Sequence, residues 1–140
     1  MKVDKNAGSG RLGIMAGNFG INEKTVTAIN FEIRDGGKPS VFWQLAGASS
    51  VRVDFNTDIR TGETMHLAIT VSETEAKCYI NGELVDTKTG SFKNPEKSTL
   101  GNMAIGGDYR SGNGQNLKSA TLYSVSLLIC SIQDPPCPLL

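Results

Sequence analysis

The sequence predicts an all-β domain built from antiparallel strands. Three observations carry this. Met65, Leu67, Ile69 and Val71 alternate with His66, Ala68 and Thr70, the period of two that marks a strand with one buried face. Asn81-Gly82 separates the extended runs 76–80 and 83–89, and Asn-Gly suits a type I′ hairpin turn, which needs positive φ at both central residues. Sixteen glycines in 140 residues supply turns for many short strands. Residues 64–107 therefore form the organising stretch: a three-strand meander, then a fourth strand over 99–105.

The remaining elements follow in order. Residues 1–10 are polar and Gly-rich and read as a mobile lead-in. A short strand is expected over 11–16, with Gly17-Asn18-Phe19-Gly20 as a turn or loop. In the next strand, 25–34, Thr27, Ile29, Phe31 and Ile33 share one face, and Ala28, Asn30, Glu32 and Arg34 the other. After the turn Asp35-Gly36-Gly37-Lys38-Pro39, the strand 40–46 puts Val41, Trp43 and Leu45 on one face and Phe42 and Gln44 on the other. Aromatics on both faces suit a central strand. Residues 50–55 return with Val51, Val53 and Phe55 inward. Leu117 to Ile129 reads as a long closing strand. Pro135, Pro136 and Pro138 exclude helix and central strand from the tail, 130–140. The chain is read as one domain, 1–129, followed by this irregular tail.

Several of these segments resemble the laminin G-like, concanavalin A-like sandwich domains. Residues 64–71 are similar to that family's WHHVAVTY strand, and Lys77-Cys78-Tyr79-Ile80-Asn81-Gly82-Glu83-Leu84-Val85 to its LYVNGELV hairpin. Met103-Ala104-Ile105-Gly106-Gly107 resembles LTIGG, and Leu122-Tyr123-Ser124-Val125 the IYSVRIY of the last strand. Asn30 and Glu32 depart from the family, standing where apolar, small or aromatic residues are usual. The resemblance implies a two-sheet antiparallel jelly-roll sandwich of roughly ten to thirteen strands. Its expected core draws on Ile29, Phe31, Ile33, Val53, Phe55, Leu67, Ile69, Val71, Cys78, Ile80, Ile105, Tyr123 and Val125.

Composition narrows the function. Fourteen basic and fourteen acidic side chains cancel, so no nucleic-acid partner is expected, since that needs a basic excess on one face. No apolar run approaches the ~18 residues that insert in a membrane. The first ten residues lack the apolar middle of a secretory signal. Either the protein stays where it is made, or the sequence lacks its signal, or it belongs to a larger protein; an extracellular or surface-associated place within a larger protein is the expectation. Cys78, in phase with Ile80, should point inward as a small hydrophobe. Cys130 and Cys137 leave free thiols, a tail disulfide and a metal open.

Candidate sites are few. Asp54, Asn56 and Asp58 alternate like the front of an EF-hand loop, but Ile59 and Met65 stand where that loop needs Gly and Glu. Asp54 and Asp58 remain candidates for a different calcium site, and calcium is the one cofactor left open. Glycoside hydrolysis needs two carboxyl groups facing each other; Glu32 is the only carboxylate placed firmly mid-strand, so no enzyme is expected. His66, the single histidine, marks no catalytic triad. Tyr79 should face away from the core. Asp108, Tyr109, Arg110 and Asn113 bring an acceptor, a stacking face, a fork donor and an amide to one Gly-rich loop, an inventory that suits a polyhydroxylated ligand. The expected function is a non-catalytic, lectin-like binding module of weak affinity, a class the resemblance implies and these residues permit. Its alternative is a structural or interaction domain that meets a protein surface or a second copy of itself.

Overall fold

The structure is a computed structural model. It describes residues 1–7, 12–21, 24–44, 50–92, 100–106 and 120–121. Its strands are β1 (Lys2–Val3), β2 (Leu12–Ile21), β3 (Lys24–Arg34), β4 (Lys38–Gln44), β5 (Ser50–Asp54), β6 (Leu67–Val71), β7 (Glu75–Ile80), β8 (Glu83–Thr89), β9 (Leu100–Ile105) and β10 (Ala120–Thr121). There is no helix among the described residues, and none long and apolar enough to cross a membrane.

Two antiparallel sheets make the body of the fold. One has five strands in the order β5-β4-β3-β2-β9; the other has three, β6-β7-β8. β1 and β10 form a separate two-stranded ribbon. In the five-stranded sheet Ile29 pairs with Trp43, and Trp43 with Val51; Phe31 pairs with Val41, and Val41 with Val53. These rows face Leu67, Ile69, Val71, Ala76 and Cys78 of the smaller sheet, with Phe55 and Phe92 between. A second part of the core gathers Val3, Ala7, Ile14, Ile33, Ile59 and Met65. The hydrophobic effect holds the layers together at about 25 cal/mol per Å² of apolar surface buried.

The Asn81-Gly82 hairpin turn sits where the sequence places it. Ile80 pairs with Glu83, leaving Asn81 (φ 51°) and Gly82 (φ 86°) as a two-residue turn. Asn81 fastens this turn to the residue before β6. His66 N donates to Asn81 Oδ1 at 2.9 Å, and Asn81 N donates to His66 O at 2.8 Å. The other turn is shorter than expected: Arg34 pairs with Lys38 and Ile33 with Pro39, so Lys38 and Pro39 begin β4, the turn is Asp35-Gly36-Gly37 alone, and this pairing fixes the register of β3 against β4.

Three expectations are corrected. Residues 1–7 are not a mobile lead-in. Val3 is wholly buried, Lys2 bridges to Thr64, and Met1 and Met65 exchange bonds of 2.6 and 2.7 Å through the terminal amine, the amide and both carbonyls. Local polarity misleads there because Val3 is captured by distant strands. Residues 17–20 are not a turn; β2 runs through them against β3, and an irregularity between Gly17 and Asn18 takes up the mismatch. Ile105 is not core. It ends β9, the edge of the five-stranded sheet as described, and is 65% exposed. Of the other expected core residues, Ile33, Val53, Phe55 and Cys78 are buried, and Ile29, Phe31, Leu67, Ile69, Val71 and Ile80 pack against them. Tyr123, Val125 and the tail lie outside the described residues.

Candidate functional site on the five-stranded sheet

Among the described side chains of β3, β4 and β5, those on the face turned away from the core are polar apart from Phe42. Alternation along β3, β4 and β5 selects its members, and the register lines them up. Asn30, Phe42 and Arg52 form one row; Glu32, Ser40 and Asp54 form the next; Arg34 and Lys38 form a third. Asn30, Glu32 and Ser40 are fully buried, which is unusual for a carboxylate unless it is paired.

Glu32 is the centre of the cluster. Arg52 Nη1 donates to Glu32 Oε1 and, at 3.2 Å, to Ser40 Oγ. Asn30 Nδ2 donates to Glu32 Oε2 at 3.0 Å. Arg34 Nη1 lies 3.6 Å from Glu32 Oε1, and Arg34 Nε lies 4.0 Å from Asp54 Oδ1. The Arg52 guanidinium also sits over the Phe42 ring, 4.9 Å from its centroid, a cation–π contact. Two constraints thus hold one guanidinium. The buried Asn30 Oδ1 has no hydrogen-bond partner.

The expected site residues fall in different places. Asp54 joins this cluster at the exposed end of β5. Asp58 does not. Its Oδ1 accepts from the Arg60 backbone N and Nε at 3.0 and 2.9 Å, and its Oδ2 from Nη2 at 2.6 Å. The hydrogen bond from the Arg60 side chain holds the Asp58 carboxyl below its usual range. Among the described residues no three His, Cys, Asp or Glu side chains group as metal ligands. Tyr79 stands half-buried on the other sheet, in the outward row with Ala68 and Leu84. Asp108, Tyr109, Arg110 and Asn113 lie outside the described residues.

Arg34, Ser40 and Arg52 did not stand out in the sequence, and Glu32 stood out only as a lone acid. The available signal was the polar phase of three successive strands, interrupted by Phe42. What converts it into a cluster is register, which sequence periodicity alone does not state.

The family model described as the concanavalin A-like lectin/glucanases superfamily, in its laminin G form, matches residues 1–126. No curated protein and no solved structure matches the chain significantly.

Proposed function

Because the chain belongs to the concanavalin A-like lectin/glucanases superfamily, we propose that it is a non-catalytic binding module for carbohydrate. Family membership points to a binding module; the choice of carbohydrate and the lack of catalysis are our own reading. One observation carries it: Glu32 is buried on a sheet face beside the buried Asn30 and Ser40 and is paired with the partly exposed Arg52. Removing such charges from water costs several kcal/mol per ion, and apolar residues of similar volume would often serve stability as well. A fixed polar cluster at that cost is better understood as serving recognition. Fixed donors and acceptors beside an aromatic ring are what a hydroxylated ligand needs.

Catalysis has little support. The carboxylates nearest in register on this face are Glu32 and Asp54, two strands apart in one row. Glu32 is committed to Arg52, which suits neither proton transfer nor nucleophilic attack. Tyr79 and the loop residues Asp108, Tyr109, Arg110 and Asn113 are proposed as a second contact surface, and Asp54 and Asp58 as the place to look for calcium. Expected affinity is about −4 to −7 kcal/mol, roughly millimolar to tens of micromolar. A glycan array run with and without calcium tests the proposal; silence in both conditions would overturn it.

A structural or interaction role draws on Leu84 and Val85, exposed on β8, the edge of the three-stranded sheet as described. Two features of β8 oppose strand addition there. Its register slips between Asp86 and Leu84, and its charged Asp86 and Lys88 pair with the fully buried Cys78 and Ala76, which places them in the inward phase. Bulges and inward charges are devices that guard sheet edges. Light scattering at high concentration decides: a stable oligomer would favour this second reading.

A further inference from the structure

We propose that the ligand of the five-stranded face is an acidic saccharide, its carboxylate or sulfate seated by Arg34 and Arg52. This rests on the carbohydrate reading and narrows it to a chemical class. The argument is an inventory of donors. A guanidinium carries five N–H donors and no acceptor. Arg52 uses Nη1 on Glu32 and Ser40. Among the described residues Arg34 makes two ion contacts, at 3.6 and 4.0 Å. Both side chains reach the surface, at 31% exposure for Arg34 and 24% for Arg52.

Their anchoring carboxylate lies beneath them, 1% exposed, so negative charge is below and donors are above. Lys38, exposed and paired with Arg34, adds a third cation. Asp54 is the one exposed carboxylate in these rows, already in ion contact with Arg34. Donors fixed in excess of acceptors call for a ligand rich in acceptors. Charge-assisted bonds from an arginine fork to an oxyanion are about twice as strong as neutral ones. The acceptor Asn30 Oδ1 is buried out of a ligand's reach, so the donor it needs is an ordered water rather than the saccharide.

The test is calorimetry with three oligosaccharides of equal length: a polyuronate, the same polymer with its carboxyl groups reduced, and a sulfated neutral glycan. The polyuronate, the sulfated glycan or both should bind at least about tenfold more tightly than the reduced polymer, the ratio expected for a hydrogen bond to a charged group. Added salt should weaken the acidic ligands and leave the reduced one unchanged. Arg34→Ala should lose about tenfold for the acidic ligand while its circular dichroism spectrum stays that of the folded domain. Arg52→Lys, which keeps the charge and removes the fork, should fall between wild type and Arg34→Ala. Equal binding of reduced and acidic ligands, or an unaffected Arg34→Ala, overturns this inference and leaves the carbohydrate reading intact. Failure of all three saccharides, together with a silent glycan array, overturns both.

Discussion

Arg52 on β5 reaches over β4 to Glu32 on β3, joining two strands that share no ladder hydrogen bond. Glu32→Ala strands the Arg52 guanidinium and the Asn30 amide together, and should cost about 3 kcal/mol. The double variant with Arg52→Ala should cost less than the sum of the two single changes, by about 1 kcal/mol or more. Urea unfolding of the four proteins measures this coupling. Strict additivity would mean that the pair contributes no coupling.

The Asn81-Gly82 turn predicts a second outcome. Both residues have positive φ, and the Asn81 side chain accepts from His66 N. Asn81→Ala removes that acceptor and should destabilise by about 1–2 kcal/mol. Gly82→Ala should cost about 1 kcal/mol by strain alone, because a Cβ there meets no atom within 4 Å. Thermal unfolding of each variant gives the ranking.

Cys78 predicts a chemical outcome. Burial, with a smaller contribution from the nearby Asp86 charge, pushes its thiol up to about 11. A raised thiol pKa favours the protonated fold, and that contribution is lost only as pH rises from about 8.5 toward the folded value. At pH 8 the folded protein should therefore leave Cys78 unlabelled by a thiol reagent. Peptide mapping should find it labelled after unfolding. Labelling without denaturant would show that this part of the core opens.

Asp86 gives the pH prediction. Burial pushes its carboxyl up, but the Asn56 N–H at 2.7 Å and Lys88 at 3.2 Å outweigh that and hold it below its usual range. A lowered acid pKa contributes stability above the unfolded value, about 3.9. That contribution disappears as pH falls through the lower folded value. Asp86→Asn keeps an acceptor and removes the charge. It should cost roughly 1 kcal/mol at pH 6, and the gap in thermal midpoint should close below about pH 4. A gap independent of pH would assign the effect to shape.

The strands of the core were legible in the sequence because one face of each is apolar. Phe31, Val53, Leu67 and Cys78 declare their phase without reference to any partner. Glu32 and Arg52 are twenty residues apart and meet only because the turn at Asp35-Gly36-Gly37 and the β4–β5 register bring them together. Val3 was illegible for a similar reason: its burial depends on Ile14, Ile33 and Met65, far along the chain. Local pattern identifies strands, whereas a cross-strand site depends on pairing over distance.

Gly37 shows how little room that turn leaves. A Cβ on it would fall 2.1 Å from Asp58 Oδ1 and 2.7 Å from Arg60 Cγ and Nε. Bare backbone is thus the seat on which the Asp58–Arg60 clasp rests, with Ile59 wholly buried between them. The arginine held there is withheld from trypsin, which has to draw that side chain into its own pocket. Limited digestion of the native domain should spare the bond after Arg60, and Gly37→Ala should expose it.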